Sequence, residues 1–349
     1  MKTFTPPASI DNTGSKDVTQ ELNDWLATGI EDGTPEDRNI VQFSGSYRVE
    51  EGLSIGSIGS SYNHPNLPKY TRSNVLFDFS GSHIYYRDKS YSELRKWGVR
   101  LLHIFEGENL SIIGGSFSGP FRIAKYDSSR ESWHAIFLSG TEALTIAGGS
   151  YGGIPGDFVY AVPRVDQTNK TVKQNTRVNI ASNNFSSCGR QAFTINSGNG
   201  ITIAGNNICG ARRIILDCEA YSNSEISDLL FTQNVIQSVN LGFINVSVSP
   251  SAQLARWTID RNTVLKGHLK TRISGHQYDG LTFTNNISSD TNTPYARKKA
   301  LVNIDNWENV TIAGNIDYGK EAASILTAVK LSNIPVSTVT NNNWIGFDQ

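Results

Sequence analysis

The chain has 349 residues, a formal net charge of −1, and 18% charged against 38% hydrophobic residues. A near-neutral charge with no long Lys/Arg run argues against a nucleic-acid partner, and no stretch reaches the ~20 apolar residues needed to insert into a bilayer. With 31 Gly, 11 Pro and many Asn and Ser, the composition suits short strands and turns rather than a helical bundle.

The first segment, Met1-Lys2-Thr3-Phe4-Thr5-Pro6-Pro7, lacks the apolar core of a secretory signal peptide. Further on, Asp17-Val-Thr-Gln20 has capping-box spacing, and Val18, Leu22, Trp25 and Leu26 fall on one helical face before Gly29. A short amphipathic helix is therefore expected across the open end of the fold, with residues 1–38 as a cap and 39–349 as the main body. Strands are expected at Ile40–Phe43, Ser46–Val49 and Val75–Phe79. The Gly/Ser/Asn/Pro-rich stretch from Gly52 to Arg72 reads as a long loop outside the body.

From Leu110 onward one pattern returns: apolar, small polar, apolar, two variable positions, Gly or Asn, then apolar. It starts at Leu110, Leu144, Val178, Ile201, Leu229, Trp257, Leu281, Val310 and, more weakly, Val336. The alternation predicts a strand, and the Gly/Asn positions predict a tight corner. Units of this size cannot bury an apolar face alone, so they must stack into a solenoid. The fold class expected is all-β, a single-stranded right-handed parallel β-helix. Stacking places Asn183, Asn206, Asn234, Asn262, Asn286, Asn315 and Asn341 in a structural amide ladder. A leucine-rich-repeat horseshoe would need L-x-x-L-x-L spacing, which is absent.

Each coil should carry another strand before the repeated one. Four align as His134-Ala-Ile-Phe-Leu, Asp157-Phe-Val-Tyr-Ala, Gln191-Ala-Phe-Thr-Ile and Arg213-Ile-Ile-Leu-Asp217, which would set His134, Asp157, Gln191 and Arg213 along one sheet edge within about 15 Å. Arg190 and Arg212 flank that edge. Asp217 and Glu219 are two residues apart and share a face, outward by expectation because paired carboxylates are costly in a core. Outward carboxylates at Asp157, Asp217 and Glu219 would supply acid, base or nucleophile for glycoside hydrolysis; Arg190, Gln191, Arg213 and Arg212 would hold the glycan. The competing reading pairs Asp217 and Glu219 with Arg212 and Arg213 as a surface charge network. Trp133 and His134 suggest an aromatic platform for a sugar, and Tyr151, Phe158, Tyr160 and Tyr221 are further stacking candidates. His268 and His276 lie outside this cluster. Cys188, Cys209 and Cys218 have no zinc spacing and read as buried free thiols, so no metal or cofactor is called for.

Gly156-Asp-Phe-Val-Tyr160, Cys188-Gly-Arg-Gln-Ala192, Arg212-Arg-Ile-Ile-Leu-Asp-Cys-Glu219 and Asp11-Asn-Thr-Gly-Ser-Lys-Asp17 resemble motifs of the pectate-lyase-like superfamily, particularly its actinobacterial and phage tailspike-like members. The resemblance runs from about Asp11 to Asn315. It implies the β-helix fold; for activity it allows hydrolases, lyases, epimerases and non-catalytic tail proteins. Ala192 replaces the usual Gly, Ala220 replaces the usual Pro, and the Asp-Asp pair and Gly-His-Gly stretch of polygalacturonases are missing. The expectation is a polysaccharide-processing protein, a glycoside hydrolase first, with a polysaccharide lyase or a non-catalytic glycan-binding spike as alternatives. The tailspike likeness implies a virion-tail or extracellular location and, by analogy, a homotrimer.

Overall fold

Each repeat folds as a strand, a two-residue corner and a second strand, then crosses to a third strand on another face before the next coil begins. The computed structural model describes residues 1–58, 68–87, 99–121, 131–166, 171–239, 242–265, 269–273, 278–288, 302–317 and 329–344. Every strand pairing in the stack is parallel, giving a right-handed parallel β-helix. The strands before and after the repeated corner join through the long strands Asn39–Arg48 and Ser73–Tyr85 into one 23-stranded sheet. The third face is a ten-stranded sheet running through Leu53–Ile55, Arg100–Phe105, His134–Ser139, Val159–Val162, Phe193–Ile195, Ile214–Cys218, Gly242–Val246, Thr271–Ile273, Val302–Asp305 and Val329–Ser332.

The repeated pattern stacks in register, Leu110 on Leu144, Leu144 on Val178 and Val178 on Ile201, so like residues pile into inner columns. Phe43 and Phe79 stack at 4.3 Å between ring centroids, and Phe117 and Tyr151 at 4.8 Å, continuing to Phe185. Such columns bury apolar area coil after coil, which no single coil could do.

At the corner, the first residue takes the left-handed backbone: Ser182, Gln233, Arg261, Asn285 and Asn341 have φ between 52° and 57°. The next residue turns inward as the ladder. Asn206 Nδ2 donates to Asn234 Oδ1 at 3.0 Å, Asn234 Nδ2 to Asn262 Oδ1 at 3.0 Å, and the chain of amides continues through Asn286 and Asn315. Its last member is Asn342 rather than Asn341, since Asn315 Nδ2 donates to Asn342 Oδ1 at 2.9 Å. The same one-residue shift makes Ser337, not Val336, the partner of Val310. The final coil carries three Asn in succession, Asn341 to Asn343, and only hydrogen-bond register chooses among them.

The helix spans Thr19–Thr28, ends at Gly29, and buries Leu22 and Leu26 with the preceding Val18. The expected capping box does not form. Asp17, two residues before the helix, accepts the Thr19 N–H at 3.0 Å, while Gln20 donates to Asp24 instead of reaching back. Asn23 fastens the helix to the first strand of the ten-stranded sheet, accepting the Ser54 N–H at 2.7 Å and donating to Gly52 O at 3.0 Å. The helix thus shields a sheet edge that would otherwise be open. Residues 1–38 also contribute strands: Thr3–Phe4 and Thr13–Asp17 pair in parallel with Asn39–Arg48.

The stretch from Gly52 to Arg72 is only partly a loop. Leu53–Ile55 enters the ten-stranded sheet, Ser57–Ile58 pairs antiparallel with Lys69–Tyr70, and Arg72 caps the helix through Leu26 O at 2.6 Å. Its Gly/Ser content masked a three-residue strand whose Leu53 and Ile55 are both buried. No helix among the described residues is long and apolar enough to cross a membrane.

Candidate functional site

Register on the ten-stranded sheet decides which residues meet. Phe193 pairs with Val159 on one side and Leu216 on the other, so the edge positions are His134, Asp157, Gln191 and Ile214. Arg213 is displaced by one residue from the expected row. The chain between Gln191 and its row partner is longer by one residue than the expected alignment assumed, and a one-residue slip exchanges faces. With this register Tyr160, Thr194, Asp217 and Asn245 form one outward column between the inward Val159/Ala161, Phe193/Ile195, Leu216/Cys218 and Ile244/Val246.

The three predicted carboxylates do gather here, but two of them are sealed from solvent. Asp157 is fully buried and Asp217 is 2% exposed, which corrects the expectation that both lie open on the outer wall. They point away from the core yet are roofed by neighbouring polar side chains, so the cost of burying them is met by hydrogen bonds rather than by water. Asp157 accepts from Gln191 N at 3.1 Å, Thr194 Oγ1 at 2.9 Å and Arg190 Nη1 at 3.4 Å. Asp217 accepts from Gln191 Nε2 at 2.8 Å and Asn245 Nδ2 at 2.9 Å. Gln191 is therefore the bridge, its backbone on one carboxylate and its side chain on the other. Glu219, half-buried, belongs to the same group and feels the charges of Asp217, Arg190 and Arg213.

Burial pushes the Asp157 carboxyl up to about 7, against the opposing pull of Arg190, Thr194 and the Gln191 N–H. Glu219 is also raised, by burial first and by the Asp217 charge second. For Arg190 burial opposes the charge, but Asp157, Glu131 and Glu219 outweigh it and leave the guanidinium more firmly protonated than usual. Glu131, which no sequence signal marked, lies 3.6 Å from Arg190 Nε and forms an ion pair with Arg213. It arrives from the segment that precedes the His134 strand, and only folding brings it to residues 59 and 82 positions later.

His134 and Trp133 are not a sugar platform. Trp133 is fully buried against Tyr86, and His134 is 3% exposed, its ring stacked at 4.6 Å on Tyr160. His134 Nδ1 accepts the Asp157 N–H at 3.1 Å, and burial, with Arg100 and Arg190 nearby, holds its pKa well below the ordinary range. Its 3.6 Å approach to Asp157 Oδ2 is accordingly a contact of a neutral imidazole and not an ion pair. Tyr151 and Phe158 also belong to the core. Tyr160 and Tyr221 remain: their hydroxyls meet at 3.0 Å, and Tyr221 is 49% exposed. Arg212 and Arg213 are both half-buried. Arg213 pairs with Glu131, and its charge also acts on Glu219, so part of the charge network expected of Asp217, Glu219, Arg212 and Arg213 is present, with Glu131 as an added member. Cys188 and Cys218 are buried free thiols, whereas Cys209 is only partly buried. His268 and His276 lie outside the described residues.

Two buried acceptors in this cluster, Gln191 Oε1 and Asn196 Oδ1, have no hydrogen-bond partner. Asn196 Nδ2 donates to Tyr160 Oη at 3.3 Å, so its oxygen sits beside the Tyr160/Tyr221 pair. Buried polar atoms without a partner also occur elsewhere in the solenoid, Thr232 Oγ1, Ser288 Oγ and Trp307 Nε1 among them, so it is the gathering of charged groups that sets this cluster apart.

No protein-family model matches the chain, and no curated protein matches it in sequence. Solved structures do share its fold. The mannuronan C-5 epimerase AlgE4 A-module of Azotobacter vinelandii aligns over 97% of this chain and 95% of its own, with 11% identity and a TM-score of 0.51. The ORF18 protein of Geobacillus virus E2 aligns over 98% of this chain with 10% identity and a TM-score of 0.52, and this chain spans 62% of that protein. These likenesses establish that the chain has the parallel β-helix fold.

Proposed function

We propose that the chain processes a polysaccharide as a glycoside hydrolase, with Asp157, Asp217 and Glu219 as its catalytic carboxylates. The observation that carries this reading is the convergence of three carboxyl groups on the Arg190–Gln191 corner, two of them with raised pKa values. Environments that separate the protonation of neighbouring acids are what acid and base roles require.

Burial and the neighbouring Asp217 charge favour the protonated form of Glu219, which suits it to the role of acid: it gives its proton to the glycosidic oxygen as the C–O bond breaks. Asp157 is the base, taking a proton from the water whose oxygen bonds to the anomeric carbon. Its carboxylate lies beneath Arg190, so substrate binding must draw that guanidinium aside. Arg190, Gln191 and Arg213 line the approach, and the exposed ring of Tyr221 offers a stacking surface.

The burial of Asp157 and Asp217 favours a second reading, a non-catalytic glycan-binding spike in which the cluster is structural. That reading goes with a virion-tail or extracellular place and a homotrimer, in keeping with the viral origin of one fold neighbour. A lyase is less well supported, because His134, the natural base for abstracting a sugar proton, is buried with Nδ1 already engaged.

Single variants Asp157→Asn, Asp217→Asn and Glu219→Gln separate these cases in assays of reducing-end release and of absorbance from unsaturated products. A hydrolase loses reducing ends by about 100-fold or more in each variant and gives no unsaturated product. Absence of cleavage by the parent protein across cell-surface and extracellular glycans would leave the spike.

A further inference from the structure

We propose that the outward face of the ten-stranded sheet binds an acidic glycan, with Arg272 and Lys330 holding acid groups borne on every second sugar. The proposal rests on the polysaccharide reading above and specifies its substrate class.

The register defines an uninterrupted column beyond the carboxylate cluster. Asp217 pairs with Asn245, Asn245 with Arg272, Arg272 with Asn303 and Asn303 with Lys330. The sequence down this column is acid, amide, cation, amide, cation. Inward residues flank every position, with Ile273 and Ile304 in the core beside Arg272 and Asn303, so these side chains share the outer face.

Arg272 and Lys330 are exposed, and neither forms an ion pair among the described residues. Rungs lie ~4.8 Å apart, which puts successive cations about 10 Å from one another and Arg272 about 10 Å from Asp217. A pyranose advances a glycan by roughly one rung, so cations on alternate rungs match acid groups on alternate sugars. Asn245 and Asn303 present neutral amides to the intervening hydroxyls.

The test measures binding of polygalacturonate, polymannuronate and hyaluronan, each beside its carboxyl-reduced form, at low and high salt. The parent protein should prefer at least one acidic polymer over its reduced form by about tenfold, a preference that salt erodes. Hyaluronan, with one acid group per two sugars, should show the largest ratio. The double variant R272Q/K330Q should abolish the preference while leaving affinity for the reduced form within about twofold. A preference that survives the double variant, or failure of every acidic polymer to bind, overturns the proposal. Acid-selective binding without cleavage supports it while removing the hydrolase reading; cleavage confined to neutral glycans does the reverse.

Discussion

Two corners of the same solenoid follow opposite rules. At the corner of the amide ladder every Asn side chain between Asn183 and Asn315 donates to a backbone carbonyl and to the next amide, while its oxygen accepts from the amide below. At the corner that leads into the ten-stranded sheet, coils present Asp157, Gln191, Arg190 and Arg213, charge is balanced across several partners, and Gln191 Oε1 is left unpaired. Both are buried and polar. The ladder is neutral, repetitive and satisfied, and so it stabilises; the carboxylate corner is charged, irregular and incompletely satisfied, and stability alone does not account for it.

The sharpest way to break this contrast is to cut the ladder at its middle. Asn234→Ala removes a side chain that donates to Ile203 O and Asn262 Oδ1 and accepts from Asn206 N and Nδ2, all at 3.0 Å. Several buried groups then lose partners, and urea unfolding should report a loss of about 4 kcal/mol or more. A loss below about 1 kcal/mol would mean that the ladder is incidental to stability.

Asp157→Asn should behave in the opposite sense, with an effect that depends on pH. The folded-state pKa of Asp157 is raised from 3.8 to about 7, so between those values the folded chain binds more protons than the unfolded one. Stability contributed by protonated Asp157 is full below about 4 and declines as pH rises through 7, by up to about 4 kcal/mol. Relative to the Asn variant, the parent should therefore weaken between pH 4 and pH 8. Depression of the His134 pKa acts the other way, costing stability as pH falls below its ordinary value, but it is common to both proteins and cancels in the difference. A pH-independent difference would show that Asp157 is ionised throughout.

The smallest expected effect concerns backbone alone. Gln233 occupies the left-handed region at φ 56° beside ladder residue Asn234. Gln233→Gly relieves that strain and should change stability by less than about 1 kcal/mol, in the stabilising direction, with ligand binding unaltered. A marked loss would assign the Gln233 side chain a role of its own.

The ladder was legible because it repeats: each Asn follows the same alternating apolar pair, and nine copies of one pattern leave little freedom. The carboxylate corner repeats nothing. Asp157, Gln191 and Asp217 could be named from their strands, yet the row that contains them could not be aligned, and Arg213 was placed where Ile214 lies. Burial escaped notice for the same reason, since the roof over Asp157 and Asp217 is built by Arg190 and Gln191 from one coil and Asn245 from another. Nothing near Glu131 in the chain announces that it will meet Arg190 and Arg213.

Alternation, spacing and the inward Asn are local properties, and they were enough to determine a stacked parallel solenoid, its satisfied corner and its capping helix. Which residues face one another across coils depends on the exact number of residues at each turn, and a single position reverses the side on which a group emerges. Only the tertiary structure could therefore decide that Asp157 and Asp217 lie under cover, that Glu131 joins them, and that Arg272 and Lys330 continue their column.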